Sequence, residues 1–142
     1  SQLPLVFRLA QTPIVRDLML HVTPRFVFEE NLRGAFGKDE VINDAMIDRY
    51  FELARMPGSR EATLIRLNTP RDYYVGEHLD EIRAPTLILW GREDTWTPLS
   101  MGETYKAGIA RSEMIVFDGV GHIPMEEVPE ESAADVRAFL GR

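Results

Sequence analysis

Two short segments constrain the fold of this chain more than any other part of its sequence. They are Leu87–Asp94 (LILWGRED) and Gly119–Pro124 (GVGHIP), the second of which follows the apolar run of Glu113–Phe117, and each presents one ionisable residue after a glycine. Uninterrupted apolar runs of this length are typical of strands that are buried on both faces of a parallel sheet. In such sheets, the loops at the carboxyl ends of the strands carry the active groups. We therefore expect an α/β protein with an acid and a histidine at one sheet edge.

Residues 82–142 predict the order strand, helix, strand, helix. The predicted strands are Thr86–Trp90 and Glu113–Phe117, and the predicted helices run from Pro98 to Ala110 and from Pro129 through Leu140. Because a connection between parallel strands of one sheet is right-handed, this order predicts two parallel strands joined by a crossover helix.

Residues 1–81 have helical periodicity and predict a small all-helical layer. Thr12-Pro13 and Thr23-Pro24 each combine a capping residue with a proline at the first helical position, which is typical of a helix start. An apolar face predicts a further helix from Asp39 to a Met-Pro-Gly break, and Ser59 is the predicted cap of another short helix.

The composition excludes several classes of function. The 142 residues are enough for one domain with a real core. The net charge of −7 argues against nucleic acid as a partner, since phosphate binding needs clustered Lys and Arg. The absence of cysteine excludes disulfides, thiolate metal sites and a cysteine nucleophile.

Targeting signals are also missing from the sequence. No apolar stretch approaches the ~18 residues of a membrane span, and the start has no basic region followed by an apolar one, so we expect no membrane partner and a cytoplasmic location. A chain that opens at Ser1 rather than at Met is expected to be a processed or truncated piece.

Asp94 and His122 are the candidate catalytic residues. Asp94 lies four residues beyond Trp90 and His122 five beyond Phe117, so neighbouring strands deliver both to the same sheet edge. We predict that the Asp94 carboxylate accepts a hydrogen bond from Nδ1 of His122, about 2.6–3.2 Å away, which leaves Nε2 as general base. Taken alone, Asp94 is also a plausible helix cap.

The segments 82–98 and 119–130 resemble those of the α/β-hydrolase superfamily, in particular its cap-bearing esterases, carbon–carbon bond hydrolases, epoxide hydrolases, dehalogenases and haloperoxidases. The resemblance implies that Asp94 is the triad acid and His122 the triad base. It also implies a partial α/β-hydrolase fold. Residues 1–81 would be a helical cap, and residues 82–142 would supply the last two parallel strands and helices of the core sheet.

The nucleophile of this family is missing from the sequence. None of the five serines lies in a G-x-S-x-G context, and the nearest, Ser100, lacks the first glycine and a preceding strand. The chain is therefore predicted to be the C-terminal part of a hydrolase that cleaves a small, largely apolar substrate (ester, carbon–carbon, epoxide or halide) through a covalent intermediate. The alternative is a non-catalytic remnant or interaction module with this architecture. No metal or organic cofactor is expected.

The missing strands also predict a partner. A run that is buried on both faces needs neighbours on both sides, but only one further strand is predicted in the chain. The other edge of Thr86–Trp90 would expose unpaired backbone N–H and C=O groups, which readily recruit another strand. We expect that partner to be the N-terminal half of the same protein or a second copy of the chain.

Aromatic and acidic residues complete the list of candidates. Trp96, two residues past the acid, is the favoured substrate-pocket residue, with Phe26 and Phe28 as weaker candidates. His21 and His78 are expected to be structural or surface histidines. The carboxylates at 126, 127, 130 and 131 are expected to favour helix N-termini rather than to hold a metal.

Overall fold

A computed structural model describes residues 22, 24–70 and 73–141. Among them, residues 22, 24–34 and 39–70 form one compact unit, here called the helical unit. Residues 35–38 and 73–141 form the other, here called the sheet unit. The helix start predicted at Thr12-Pro13 and the residue His21 lie outside the described residues.

The helical unit contains three α-helices: α1 (Arg25–Ala35, whose last residue belongs to the sheet unit), α2 (Asp44–Arg55) and α3 (Ser59–Asn68). The Arg25 guanidinium joins α1 to α2 by ion pairs with Asp44 and Asp48, at N–O distances of 2.7 and 2.6 Å. Val27, Leu32 and Ile47 are buried in this unit.

Two predicted helix starts in this unit are wrong by a few residues. A 3-10 turn occupies Asp39–Val41, and α2 begins only after Asn43, whose side chain accepts a hydrogen bond from the backbone N–H of Met46. Helix α3 is preceded by Gly58 in the left-handed conformation (φ 83°) without a side-chain cap, so Ser59 is its first residue and not its cap. The start of α2 is thus set by the Asn43 cap rather than by the apolar periodicity, whereas α3 follows the left-handed turn at Gly58.

The sheet unit has the predicted order of strands and helices. Strand β1 (Thr86–Gly91) pairs in parallel with β2 (Ser112–Phe117), in a register that runs from Thr86 opposite Ser112 to Gly91 opposite Phe117. A short helix α4 (Tyr74–Glu77) and a 3-10 turn at Leu79–Glu81 precede β1. Helix α5 (Leu99–Gly108) connects β1 to β2. The buried apolar residues of the sheet unit include Leu79, Ile88, Ile109, Phe117 and Val120.

Residues 118–123, which contain His122 and are here called the histidine loop, are followed by a short helix that the sequence did not predict. Helix α6 spans Pro124–Glu127 and α7 spans Pro129–Leu140, with a proline in the first turn of each. Because proline suits the first helical position, the two prolines start two consecutive helices where only the second was expected.

Candidate active site

The Asp94 and His122 side chains meet at the carboxyl ends of β1 and β2. Nδ1 of His122 lies 2.8 Å from Oδ2 of Asp94, so the predicted contact is present. An ionised carboxylate only accepts hydrogen bonds, so Nδ1 is the donor in this contact, and in a neutral imidazole Nε2 would then keep its lone pair. The catalytic role of the pair stays a prediction at this point.

The Asp94 carboxylate accepts four hydrogen bonds. Backbone N–H groups of Trp96 and Thr97 donate to Oδ1 at 2.9 and 2.8 Å, and the Thr97 hydroxyl and the His122 ring donate to Oδ2. Helix α5 has Pro98 at its N-cap position and no side-chain cap, so Asp94 does not serve as a cap for it. The carboxylate is instead oriented by its own loop, with only 4% of the side chain exposed.

These contacts determine the charge state of Asp94. Burial raises the pKa of the carboxyl group, but hydrogen bonds from the Thr97 hydroxyl, the Thr97 N–H and the His122 ring outweigh burial. The net result is a pKa below the ordinary value of 3.8, so the group is ionised at neutral pH.

Thr97 is a site residue whose individual role the sequence analysis missed. Its hydroxyl contacts Oδ2 of Asp94 and lies 3.2 Å from Nδ1 of His122. A threonine before a proline is too common at helix starts to signal such a contact.

We predict that Thr97→Val raises the pKa of Asp94, because it removes one donor to the carboxylate. A carboxyl group with a lowered folded-state pKa contributes stability that is present above its unfolded pKa and is lost as pH falls through the folded pKa. In the variant, this loss of stability should begin at a higher pH. The free energy of unfolding at neutral pH should be about 1–2 kcal/mol lower than in the wild-type chain. Carbon-13 NMR titration of the Asp94 carboxyl measures the shift directly.

Thr104→Val is the matched control, because the Thr104 hydroxyl donates to the Ser100 carbonyl within α5. Identical Asp94 titrations in the two variants would contradict a role of the Thr97 hydroxyl.

A small cavity of about 130 Å³ opens beside the pair. Its lining residues all belong to the sheet unit and are Leu89, Trp90, Gly91, Asp94, Thr97, His122 and Pro124. The ring of Trp96, the favoured pocket residue, lies 5.0 Å from the His122 ring between centroids. Trp90 was expected only as a strand residue, and its indole N–H donates to the Thr97 carbonyl at 3.1 Å.

The two weaker pocket candidates belong to the helical unit. The Phe26 side chain is exposed, and the Phe28 ring packs edge-on against Phe51 with centroids 5.7 Å apart. A pocket role for either residue stays a prediction.

Other singled-out residues have local partners. Nδ1 of His78 is hydrogen-bonded to the Tyr74 carbonyl at 2.7 Å, as suits a structural histidine. Glu126 and Glu127 lie in the first turn of α6, as Glu130 and Glu131 do in α7, and Glu127 has further contacts described below. The part of the chain that the structure describes contains no helix long and apolar enough to cross a membrane.

A parallel strand pair with an acid and a histidine at its carboxyl ends is the arrangement expected for the closing part of an α/β-hydrolase fold. Residues 2–135 match the profile of the alpha/beta hydrolase family, and the chain belongs to that family. The predicted fold class, a partial α/β-hydrolase fold with a two-stranded parallel sheet, is thereby confirmed.

Individual relatives match most of the chain. A 2-hydroxy-6-oxononadienedioate/2-hydroxy-6-oxononatrienedioate hydrolase from Escherichia coli is 40% identical over 137 residues, which are 95% of this chain and 44% of the relative. A meta-cleavage product hydrolase from Pseudomonas fluorescens has a TM-score of 0.74 at 22% identity, covering 87% of this chain and 47% of that one. A thermophilic esterase from Thermogutta terrifontis has a TM-score of 0.72 at 24% identity, covering 99% of this chain and 51% of the esterase. The chain thus spans about half the length of these relatives.

Proposed function

We propose that this chain carries the acid and the base of a hydrolase, with Asp94 orienting His122 and His122 acting as general base. The observation that carries the proposal is the 2.8 Å contact between Oδ2 of Asp94 and Nδ1 of His122. With the Nδ1 proton engaged by the carboxylate, Nε2 is the nitrogen that takes a proton from the nucleophile. The ionised Asp94 then stabilises the imidazolium that forms.

On this proposal, an N-terminal portion of the same protein supplies the nucleophile and the oxyanion-hole donors. A separate chain that takes the place of this portion could supply them instead. Support for this comes from the coverage: the chain matches the C-terminal part of relatives about twice as long. It also contains no G-x-S-x-G segment of its own. In the complete enzyme, His122 would first activate the nucleophile and then the water that releases the covalent intermediate.

The proposed substrate class is a hydroxy-oxo-dienoate that is cleaved at a carbon–carbon bond. The substrate in the E. coli relative's name has a 6-oxo group and two carboxylates but no ester or amide bond. Water can divide such a compound only beside the ketone. The carbon–carbon bond beside the ketone breaks. The hydroxyl of the water bonds to the former ketone carbon, which becomes a carboxylic acid, and the released carbon takes a proton. The 40% identity over nearly the whole chain supports this class over simple esters.

Complementation tests the proposed function. The chain is co-expressed with the N-terminal portion of the E. coli relative that precedes the matching region. The purified complex is then assayed with 2-hydroxy-6-oxonona-2,4-dienedioate, whose conjugated absorbance disappears on cleavage. We expect turnover of this compound in preference to p-nitrophenyl acetate.

Two other outcomes have clear meanings. A complex that cleaves only the ester would overturn the carbon–carbon assignment and leave the acid–base pair in place. A stable complex that cleaves neither compound would favour the non-catalytic alternative.

A further inference from the structure

Glu127 makes contacts that its place at a helix N-terminus does not explain. One carboxylate oxygen, Oε1, accepts a hydrogen bond from the backbone N–H of Gly121 at 2.8 Å. The other, Oε2, accepts one from the backbone N–H of Gly37, also at 2.8 Å. A single carboxylate therefore bridges Gly121, the residue before His122, to Gly37, which lies 90 positions before Glu127 in the sequence.

The two bridged segments also touch directly through their backbones. The N–H of His122 donates to the Ala35 carbonyl at 2.6 Å, which satisfies one of the carbonyls left open at the end of α1. A side chain on Gly121 would place its Cβ 2.2 Å from the Ala35 oxygen, and one on Gly37 would place it 2.7 Å from the Gly119 oxygen. The histidine loop therefore lies in backbone contact with residues 35–38, and all of these residues belong to the sheet unit.

We propose that Glu127 is a positioning residue that holds the backbone of the histidine loop, so that the His122 ring stays on the Asp94 carboxylate. The proposal rests on the proposed role of His122 as base. The His122 side chain is about one-third exposed (35%), so burial alone does not immobilise its ring. Hydrogen bonds to an ionised acceptor are roughly twice as strong as neutral ones, which suits Glu127 to fix a glycine-containing loop.

The chemistry of the bridge requires a carboxylate. Both backbone partners are donors, and a carboxylate offers an acceptor oxygen to each. A glutamine has one acceptor oxygen and one NH₂ group, so Glu127→Gln would break one of the two bonds and set two donors against each other. Glu130→Gln is the matched control, since Glu130 is an exposed glutamate in the first turn of α7.

The test reads the protonation of the His122 ring rather than turnover. Nitrogen-15 NMR of the full chain, at a pH where the imidazole is neutral, distinguishes a proton on Nδ1 from one on Nε2. We expect the Nδ1–H form to dominate in the wild-type chain and in Glu130→Gln. In Glu127→Gln the Nε2–H form should rise several-fold, because the ring is no longer held against Asp94.

A measurement on the wild-type chain keeps the proposal testable if the variant does not fold. The amide protons of Gly37 and Gly121 should exchange slowly with deuterium, and free exchange at either would overturn the bridge. If Glu127→Gln folds, an unchanged ring tautomer would overturn the positioning role; if it does not fold, the exchange at Gly37 and Gly121 decides.

Activity adds a second reading that separates this inference from the proposed function. If the complemented complex is active, Glu127→Gln should lower kcat roughly 10- to 100-fold with KM nearly unchanged. Unchanged kcat would overturn the inference and leave the proposed function intact. An inactive wild-type complex would count against the proposed function, while the tautomer would still decide the role of Glu127.

Discussion

The 142-residue chain by itself should hydrolyse p-nitrophenyl acetate no faster than buffer does. Asp94 and His122 are hydrogen-bonded to each other, but no serine of the sequence lies in a G-x-S-x-G segment, so we expect no covalent intermediate to form. Adding the N-terminal portion of the relative should restore turnover. In that complex, His122→Ala should lower kcat roughly 10⁴- to 10⁶-fold, because the general base is lost in both steps. Stopped-flow or steady-state assays measure the difference.

His78→Ala is the matched control for this prediction. His78 is bonded to the Tyr74 carbonyl rather than to a carboxylate, and its loss should leave turnover within a few-fold of the wild-type complex. Rapid hydrolysis by the chain alone that disappears in His122→Ala would show that a nucleophile exists within these 142 residues.

The purified chain should not behave as a compact monomer. Among the described residues, β1 pairs only with β2, and the sheet has two strands. The other edge of β1 leaves backbone N–H and C=O groups without strand partners beside Leu87, Leu89 and Trp90, which are only half-buried. Such an edge favours pairing with another strand. Multi-angle light scattering should give a dimer or a larger species, or mass spectrometry should find a co-purified fragment.

Addition of the N-terminal portion provides the control for this second prediction. That portion should compete for the same edge and convert the self-associated chain into a one-to-one complex. A stable monomer that unfolds cooperatively and carries no companion peptide would contradict the predicted partner.

Local sequence patterns predicted the sheet unit well. Both strands lie within one residue of the predicted bounds. A short apolar run that is followed by a turn residue is typical of a buried strand, so the local sequence predicts both its type and its end. The meeting of Asp94 and His122 followed from the same pattern, since parallel neighbours end at one edge. The helix starts predicted at Asp39 and Ser59 were less accurate, because the Asn43 cap decides the first and the left-handed turn at Gly58 precedes the second.

The sequence by itself determined the class of fold, the order of its closing elements and the pair of side chains at their ends. These features depend on periodicity and on the residues that follow each strand, which are local properties of the chain. Only the tertiary structure decided that Thr97 shares the Asp94 carboxylate and that Glu127 joins Gly37 to Gly121. The Glu127 bridge joins residues as many as 90 positions apart, and the geometry of a hydrogen bond at that separation depends on the folded backbone rather than on any local pattern.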